Sequence, residues 1–160
     1  MADTYLIRAA TNADGEAIRR VVGTVLTEFG FTLDPAGTDA DLNDIEASYL
    51  QTGGSFDVLT DPAGEVVGTV GLFSPDGGRC ELRKMYLLAR CRGSGYSKRL
   101  LRHALVRAQE LGYRRVELET MGALRAAIRL YESFGFRPFV PDHWSARPGR
   151  ADRAFYLDLV

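Results

Sequence analysis

Between Glu81 and Leu111 a strand-like run, a short glycine turn and an amphipathic helix follow one another without a spacer. Glu81-Leu82-Arg83-Lys84-Met85-Tyr86-Leu87 reads as the strand and Arg92-Gly93-Ser94-Gly95-Tyr96-Ser97 as the turn. Leu100, Leu101, Ala104, Leu105, Ala108 and Leu111 then recur at three- and four-residue spacing on one helical face. Gly93 and Gly95 let the backbone turn tightly with no Cβ to block a ligand. A helix start leaves several N–H groups without intrahelical partners, and the macrodipole adds partial positive charge. Phosphate suits such a place. Arg90, Arg92, Lys98, Arg99 and Arg102 crowd it, where cations are disfavoured unless an anion is bound.

The loop chemistry narrows the phosphate ligand. A Walker loop needs glycine before its lysine and Ser or Thr after it; here Ser97 precedes Lys98 and Arg99 follows. A dinucleotide fingerprint wants a third glycine where Lys98 stands, although Glu117 or Glu119 falls at the spacing of its ribose-binding acid.

Arg92-Gly93-Ser94-Gly95-Tyr96-Ser97 resembles the acyl-CoA pyrophosphate loop of the GNAT superfamily of N-acetyltransferases, whose pattern is Gln/Arg-x-x-Gly-x-Gly/Ala. Arg92 and Gly95 match, and Ser97 departs from the final small residue. Ala127-Ile128-Arg129-Leu130-Tyr131-Glu132-Ser133-Phe134-Gly135-Phe136 is similar to the family's later Ala-Ile-x-Leu-Tyr-Glu-x-x-Gly-Phe signature. The resemblance runs from about Leu6 to Leu159 and is close from Glu81 to Phe136.

The resemblance implies a single N-acetyltransferase domain over residues 1–160 that uses acetyl-CoA as cosubstrate and no metal. Its expected cofactor contacts are the pyrophosphate loop, Arg92, Gly93, Ser94, Gly95, Tyr96 and Ser97, and the strand residues Met85, Tyr86 and Leu87. Those three would present unpaired N–H and C=O groups where two strands splay apart. Tyr131 occupies the position of the acid that protonates departing CoA thiolate; by helical spacing alone it reads as core. Glu81 aligns with the strand glutamate that deprotonates amines in some members; read without the family, it is a strand-end glutamate paired with Arg79 or Arg83. Leu124 stands where the family usually has asparagine.

The rest of the chain fits one fold class, an α/β (α+β) protein with a mixed, mostly antiparallel central sheet of about six or seven strands flanked by helices. Tyr5–Ala9 reads as a strand, and Thr11 or Asn12 as the cap of a helix to about Phe29. A second helix is expected from Asp39 to Leu50, then a meander of strands over Phe56–Thr60, Glu65–Phe73 and Arg79–Leu88, with the Asp61-Pro62-Ala63-Gly64 and Asp76-Gly77-Gly78 turns between. Val116–Thr120 should lie parallel to the Glu81–Leu88 strand. A helix over Ala123–Phe134 should end at Gly135, before strands Arg137–Val140 and Arg153–Leu159.

A net charge of -1 gives no electrostatic reason to seek nucleic acid or an anionic membrane. No apolar run reaches the roughly twenty residues that span a bilayer, no signal peptide is visible, and Cys80 and Cys91 fit reduced thiols in a cytoplasm. His103 reads as solvated on the outer face of the loop helix. Acceptor clues sit in Phe29-Gly30-Phe31 with Asp34, Asp39 and Asp41, and in His143-Trp144 with Arg147, Arg150 and Arg153. Acids there could orient an ammonium group and arginines grip a carboxylate. The expected partner is therefore a small-molecule or peptide amine, and sheet-edge homodimers are common in the family. A CoA-binding sensor without turnover and a nucleotide-binding domain are the competing readings.

Overall fold

Thr11 starts the first helix with a capping box: its hydroxyl accepts from the Ala13 N–H and the Asp14 carboxylate accepts from the Thr11 N–H (3.3 and 2.9 Å). After one 3₁₀ turn comes α1, Gly15–Glu28, which buries Ile18, Val21, Val22, Val25 and Leu26 along one face. The computed structural model describes residues 4–76, 78–146 and 150–159. Gly77 of the expected Asp76 turn and Arg147 of the expected acceptor loop lie outside the described residues.

The strands are β1 (Leu6–Ala9), β2 (Ser55–Thr60), β3 (Val66–Phe73), β4 (Cys80–Leu87), β5 (Arg115–Thr120), β6 (Arg137–Pro138) and β7 (Arg153–Asp158). They form one seven-stranded sheet in the order β1-β2-β3-β4-β5-β7-β6. Every neighbouring pair is antiparallel except β4 and β5. That parallel pair needs a crossover, and α2 (Tyr96–Glu110) supplies it.

Helices cover both faces. On one, α1 and the segment to Tyr49 bury Ile18, Val22, Leu26, Leu42, Ile45 and Tyr49 against Phe56, Val58 and Val66. On the other, α2 and α3 (Arg125–Ser133) bury Leu100, Leu101, Ala104 and Tyr131 against Leu82, Val116, Leu118 and Phe155. Both thiols are reduced and buried, and burial, with Glu81 beside it, pushes the Cys80 thiol up to about 12. No helix among the described residues is long and apolar enough to cross a membrane.

Two expectations change. The helix expected from Asp39 to Leu50 is broken into a 3₁₀ turn at Ala40–Asn43 and a π turn at Glu46–Leu50. Asp44 sits between them in extended backbone, its carboxylate accepting from the Ala47 N–H (3.0 Å), so a side chain competes with the helical ladder. His103 is also not simply solvated. Its Nε2 lies 3.4 Å from Asp57 of β2, and that hydrogen bond raises its pKa above the ordinary 6.5.

This pair makes stability depend on pH. Because folding raises the His103 pKa, its contribution is fully present below 6.5 and is lost as pH rises through the folded value. Denaturant midpoints taken between about pH 6 and about pH 8.5 should fall with pH in the native chain and fall less in Asp57→Asn. Equal slopes in the two proteins would remove the coupling.

Candidate active site

The sheet opens in its middle. Pairing of β4 with β5 runs Cys80↔Val116, Glu81↔Glu117, Leu82↔Leu118 and stops, while β5 continues to Thr120 against β7. The cause lies on the other side of β4. Thr69 of β3 faces Tyr86 but Gly71 faces Arg83, so Lys84 and Met85 together oppose Val70. This extra residue is a β-bulge, and a bulge bends its strand. Lys84 takes φ 53, left-handed backbone that costs a non-glycine residue about 1 kcal/mol or more. The Thr69 hydroxyl donates to the Lys84 carbonyl (2.6 Å) and holds it there.

Below the opening lies the glycine loop. A 3₁₀ turn at Ala89–Cys91 leads into it, and both Gly93 and Gly95 have φ 86, a conformation that favours residues without a Cβ. No side chain caps α2. Among the described residues no backbone hydrogen bond takes the N–H of Gly93, Ser94 or Gly95. Tyr96 stacks on Tyr5 with ring centroids 4.3 Å apart, which fixes the first turn of α2 against the residue preceding β1.

The loop cations depart from expectation. Arg92 donates to the Leu87 carbonyl through Nε and NH2 (3.0 and 2.8 Å) and pairs with Glu28 of α1. It staples the loop to β4 and α1 rather than standing ready for an anion, and the Leu87 carbonyl expected to be open is thereby occupied. Arg90 pairs with Asp61 (3.2 Å), Arg99 donates to the Tyr5 carbonyl (2.7 Å) and Arg102 lies over Phe134. Of the five, Lys98 alone forms no hydrogen bond, ion pair or ring contact among the described residues. What the loop offers an anion is thus main-chain N–H groups and the helix end.

Tyr86 of β4 lines the pocket beside the bulge, and Tyr131 of α3 is buried within electrostatic reach of it. Burial pushes the Tyr86 hydroxyl up to about 12, with Arg150 opposing and Asp39 and Asp41 reinforcing the shift. Burial raises Tyr131 further, Tyr86 adding to it, so it stays protonated at neutral pH. Tyr131 packs on Phe136 with centroids 5.7 Å apart, yet its hydroxyl makes no hydrogen bond among the described residues. Leu124, where asparagine was expected, packs against the α1-side core and offers no side-chain cap to α3.

A pocket of about 750 Å³ opens beside the bulge, lined by Glu81, Arg83, Lys84, Tyr86, Glu119 and Arg150 among others. Glu81 is bound by Arg83 (3.0 and 2.8 Å), whose guanidinium also lies 3.8 Å above the Phe73 ring. The two segments expected to shape the acceptor site meet here. Asp39, with a fully buried side chain, receives Arg150 (2.9 Å), Lys84 (3.1 Å) and the Asp34 N–H (2.8 Å). Burial pushes the Asp39 carboxyl up, and hydrogen bonds from Arg150 and the Asp34 N–H, with Lys84 alongside, more than reverse this and hold it below the ordinary carboxylate value. Arg150 is therefore spent on Asp39 rather than waiting for a carboxylate ligand.

Asp41 faces Lys84 at 3.3 Å and accepts from the Tyr49 hydroxyl, while its buried Oδ1 takes no hydrogen bond. Glu119, which sequence spacing offered only as a ribose ligand, accepts from Trp144 Nε1 (2.7 Å) and meets His143 Nε2 (2.9 Å). Lys84 and Glu119 were not expected at the site. The lysine read as one more strand residue, and nothing in the sequence marks the bulge that turns it.

Comparison with known proteins agrees with this architecture. The acetyltransferase (GNAT) family pattern matches residues 19–136. Among curated relatives, the uncharacterized N-acetyltransferase YjgM of Escherichia coli (strain K12) is 40% identical over 136 residues, covering 82% of this chain and 81% of that protein. The N-acetylaspartate synthetase of Danio rerio is 40% identical over 98 residues, which are 61% of this chain and 35% of that protein. A solved GNAT acetyltransferase from Staphylococcus aureus Mu50 superposes with a TM-score of 0.87 over 98% of this chain and 100% of that one, at 26% identity. The yncA acetyltransferase of Salmonella typhimurium, solved with its cofactor acetyl-CoA, superposes at 0.74 over 98% and 95% with 24% identity. The splayed strand pair, the uncapped glycine loop and these matches lead to one assignment: the chain belongs to the GNAT family of acetyltransferases.

Proposed function

We propose that the chain moves an acetyl group from acetyl-CoA to a primary amine of a small molecule, amino acid or peptide, by direct attack within a ternary complex. The observation that carries this reading is the parting of β4 from β5 after Leu82↔Leu118, directly above a loop with open main-chain N–H groups. An extended amide-bearing chain fits such a gap as a strand would, and a diphosphate fits the loop. The yncA relative, of the same fold, was solved with acetyl-CoA.

Acetyl-CoA supplies an acyl carbon with a good leaving group; the protein does the rest. The Gly93–Gly95 amides and the start of α2 hold phosphate oxygens. The Met85 or Leu87 N–H polarises the thioester carbonyl, a kind of contact whose loss raises a barrier by roughly 3 kcal/mol. Tyr131, kept protonated by burial, donates to the departing sulfur. The acceptor amine enters from the pocket walled by Glu81 and Glu119 and sheds its proton there. With the Cys80 thiol pushed up to about 12, an acyl-enzyme on Cys80 has no support from this site.

Thermal unfolding with CoA, acetyl-CoA, ATP and NAD tests the cofactor. CoA species should raise Tm and the nucleotides should not. Gly95→Val, which forces a branched side chain into φ 86, should abolish that rise while leaving the unliganded chain folded. Stabilisation by NAD or ATP as large as that by CoA would point instead to a nucleotide-binding domain.

Tyr131→Phe tests the acid. Turnover in a thiol-release assay across an amine panel should fall roughly a hundredfold, with the CoA-induced Tm shift unchanged. Undiminished turnover removes the role. A native chain that binds CoA and acetylates no amine would favour the sensor reading, to which the Ser97 and Leu124 departures belong.

A further inference from the structure

Glu119 stands on β5 one residue beyond Leu118, the last residue paired with β4, and shares the pocket wall with Glu81. The two carboxylates keep different company. Glu81 Oε2 is gripped by two nitrogens of Arg83, at 3.0 and 2.8 Å, so a proton arriving there must displace a guanidinium. Both oxygens of Glu119 are also engaged, but by Trp144 Nε1 and by an imidazole.

An ionised carboxylate only accepts hydrogen bonds, so the imidazole nitrogen facing it carries the hydrogen. Nε2 of His143 is that nitrogen, 2.9 Å from Glu119 Oε2. In the neutral ring Nδ1 then holds a lone pair, and among the described residues nothing occupies it. A carboxylate that fixes the tautomer and leaves the opposite nitrogen basic is the arrangement of an oriented general base. Trp144 locks the second carboxylate oxygen, which keeps Glu119 from rotating away. His143 is 41% exposed, so a proton it takes can pass to water. Trp144, next to His143 in the chain, lines the pocket with Glu119, and the pocket's Arg83, Lys84, Arg150 and Asp41 are paired with one another or with Glu81 and Asp39.

Resting on the acetyl-transfer reading above, we propose that His143, oriented by Glu119, takes the proton that the acceptor amine loses on attack. The amine nitrogen bonds to the acyl carbon, the C–S bond breaks, the sulfur takes the Tyr131 proton and Nδ1 takes the nitrogen's. The imidazolium then gives a proton to water and the phenolate recovers one, so the net transfer is one proton from nitrogen to sulfur. His143 is the catalytic base and Glu119 a positioning residue.

Bromoacetyl-CoA tests this without knowledge of the acceptor, since it keeps the thioester and carries an alkylating carbon where the acetyl methyl would sit. Peptide mapping of the treated native chain should find the alkyl group on His143, with bromide released. Glu119→Gln should keep the CoA-induced Tm shift but label roughly tenfold more slowly, the order of a hydrogen bond to a charged group. Ring-nitrogen NMR should show His143 as the Nε2–H tautomer in the native chain and a mixture in Glu119→Gln; a merely structural role for Glu119 would leave the tautomer alone. Alkylation at Glu81 or any other residue, no alkylation despite a CoA-induced Tm shift, or an Nδ1–H tautomer each overturns the proposal. If CoA produces no Tm shift at all, the acetyl-transfer reading falls instead.

Discussion

The bulge at Lys84 shapes everything at the centre of this molecule. Without it, β4 would remain flush between β3 and β5, and the ladder of the parallel pair would continue past Leu82↔Leu118. One extra residue bends the strand and strands a run of polar main chain in the middle of a sheet. Buried amides without partners are costly, so such a gap persists only where something else binds them. The left-handed backbone at Lys84 adds to that cost, and the Thr69 hydroxyl, with the ion pairs of the lysine side chain, offsets it.

Those ion pairs have a second consequence. Asp39 ties together three parts of the chain that are remote in sequence: its own loop, the β4 bulge through Lys84 and the segment before β7 through Arg150. Buried ion pairs contribute little net stability over well-packed apolar groups, but breaking one partner leaves an uncompensated charge and is severe. Their value here is geometric. Part of the pocket wall, at Thr38 and Arg150, lies outside the sheet, and a shared carboxylate holds these segments against β4 where no ladder of backbone bonds does. The bonds that position these walls also consume the pocket's cations, so Arg83, Lys84 and Arg150 serve architecture before ligand recognition.

Sequence made the scaffold readable because each signal was local. The Thr11 cap, the apolar face of α2, the Asp61-Pro62-Ala63-Gly64 turn and the glycine loop all act through neighbours within a few residues. The failures were local rules overridden by distant partners. Asp44 interrupted a helix whose apolar spacing was sound, Arg92 met Glu28 across the fold, and His103 of α2 found Asp57 on β2. Tyr131 was legible as a position and ambiguous as a role, since helical spacing places core and catalytic tyrosines alike. The Glu119–His143 contact was beyond reach of spacing, because 24 residues and a strand reversal separate the two. Nothing in a strand read as alternating residues announces that one lysine will sit at φ 53.

In the acetyl transfer proposed above, the division of labour between proton donor and proton acceptor follows from burial rather than from residue type. Tyr131 is enclosed by the α2–α3 core, where loss of its proton is opposed by desolvation, so it can hold that proton until negative charge develops on a neighbouring sulfur. His143 is 41% exposed, and its Nε2 lies 2.9 Å from the Glu119 carboxylate on β5. Exchanging the environments would disable both: a buried imidazole resists gaining a charge, and an exposed phenol gains nothing from being held near the leaving group. The sheet supplies this asymmetry on its own, because successive residues of β4 and β5 face alternately the α3 core and the open pocket. Leu82 and Leu118 close one side while Glu81 and Glu119 furnish the other. A parted strand pair thus gives the two ends of the proposed proton transfer two different dielectrics within a single layer of backbone.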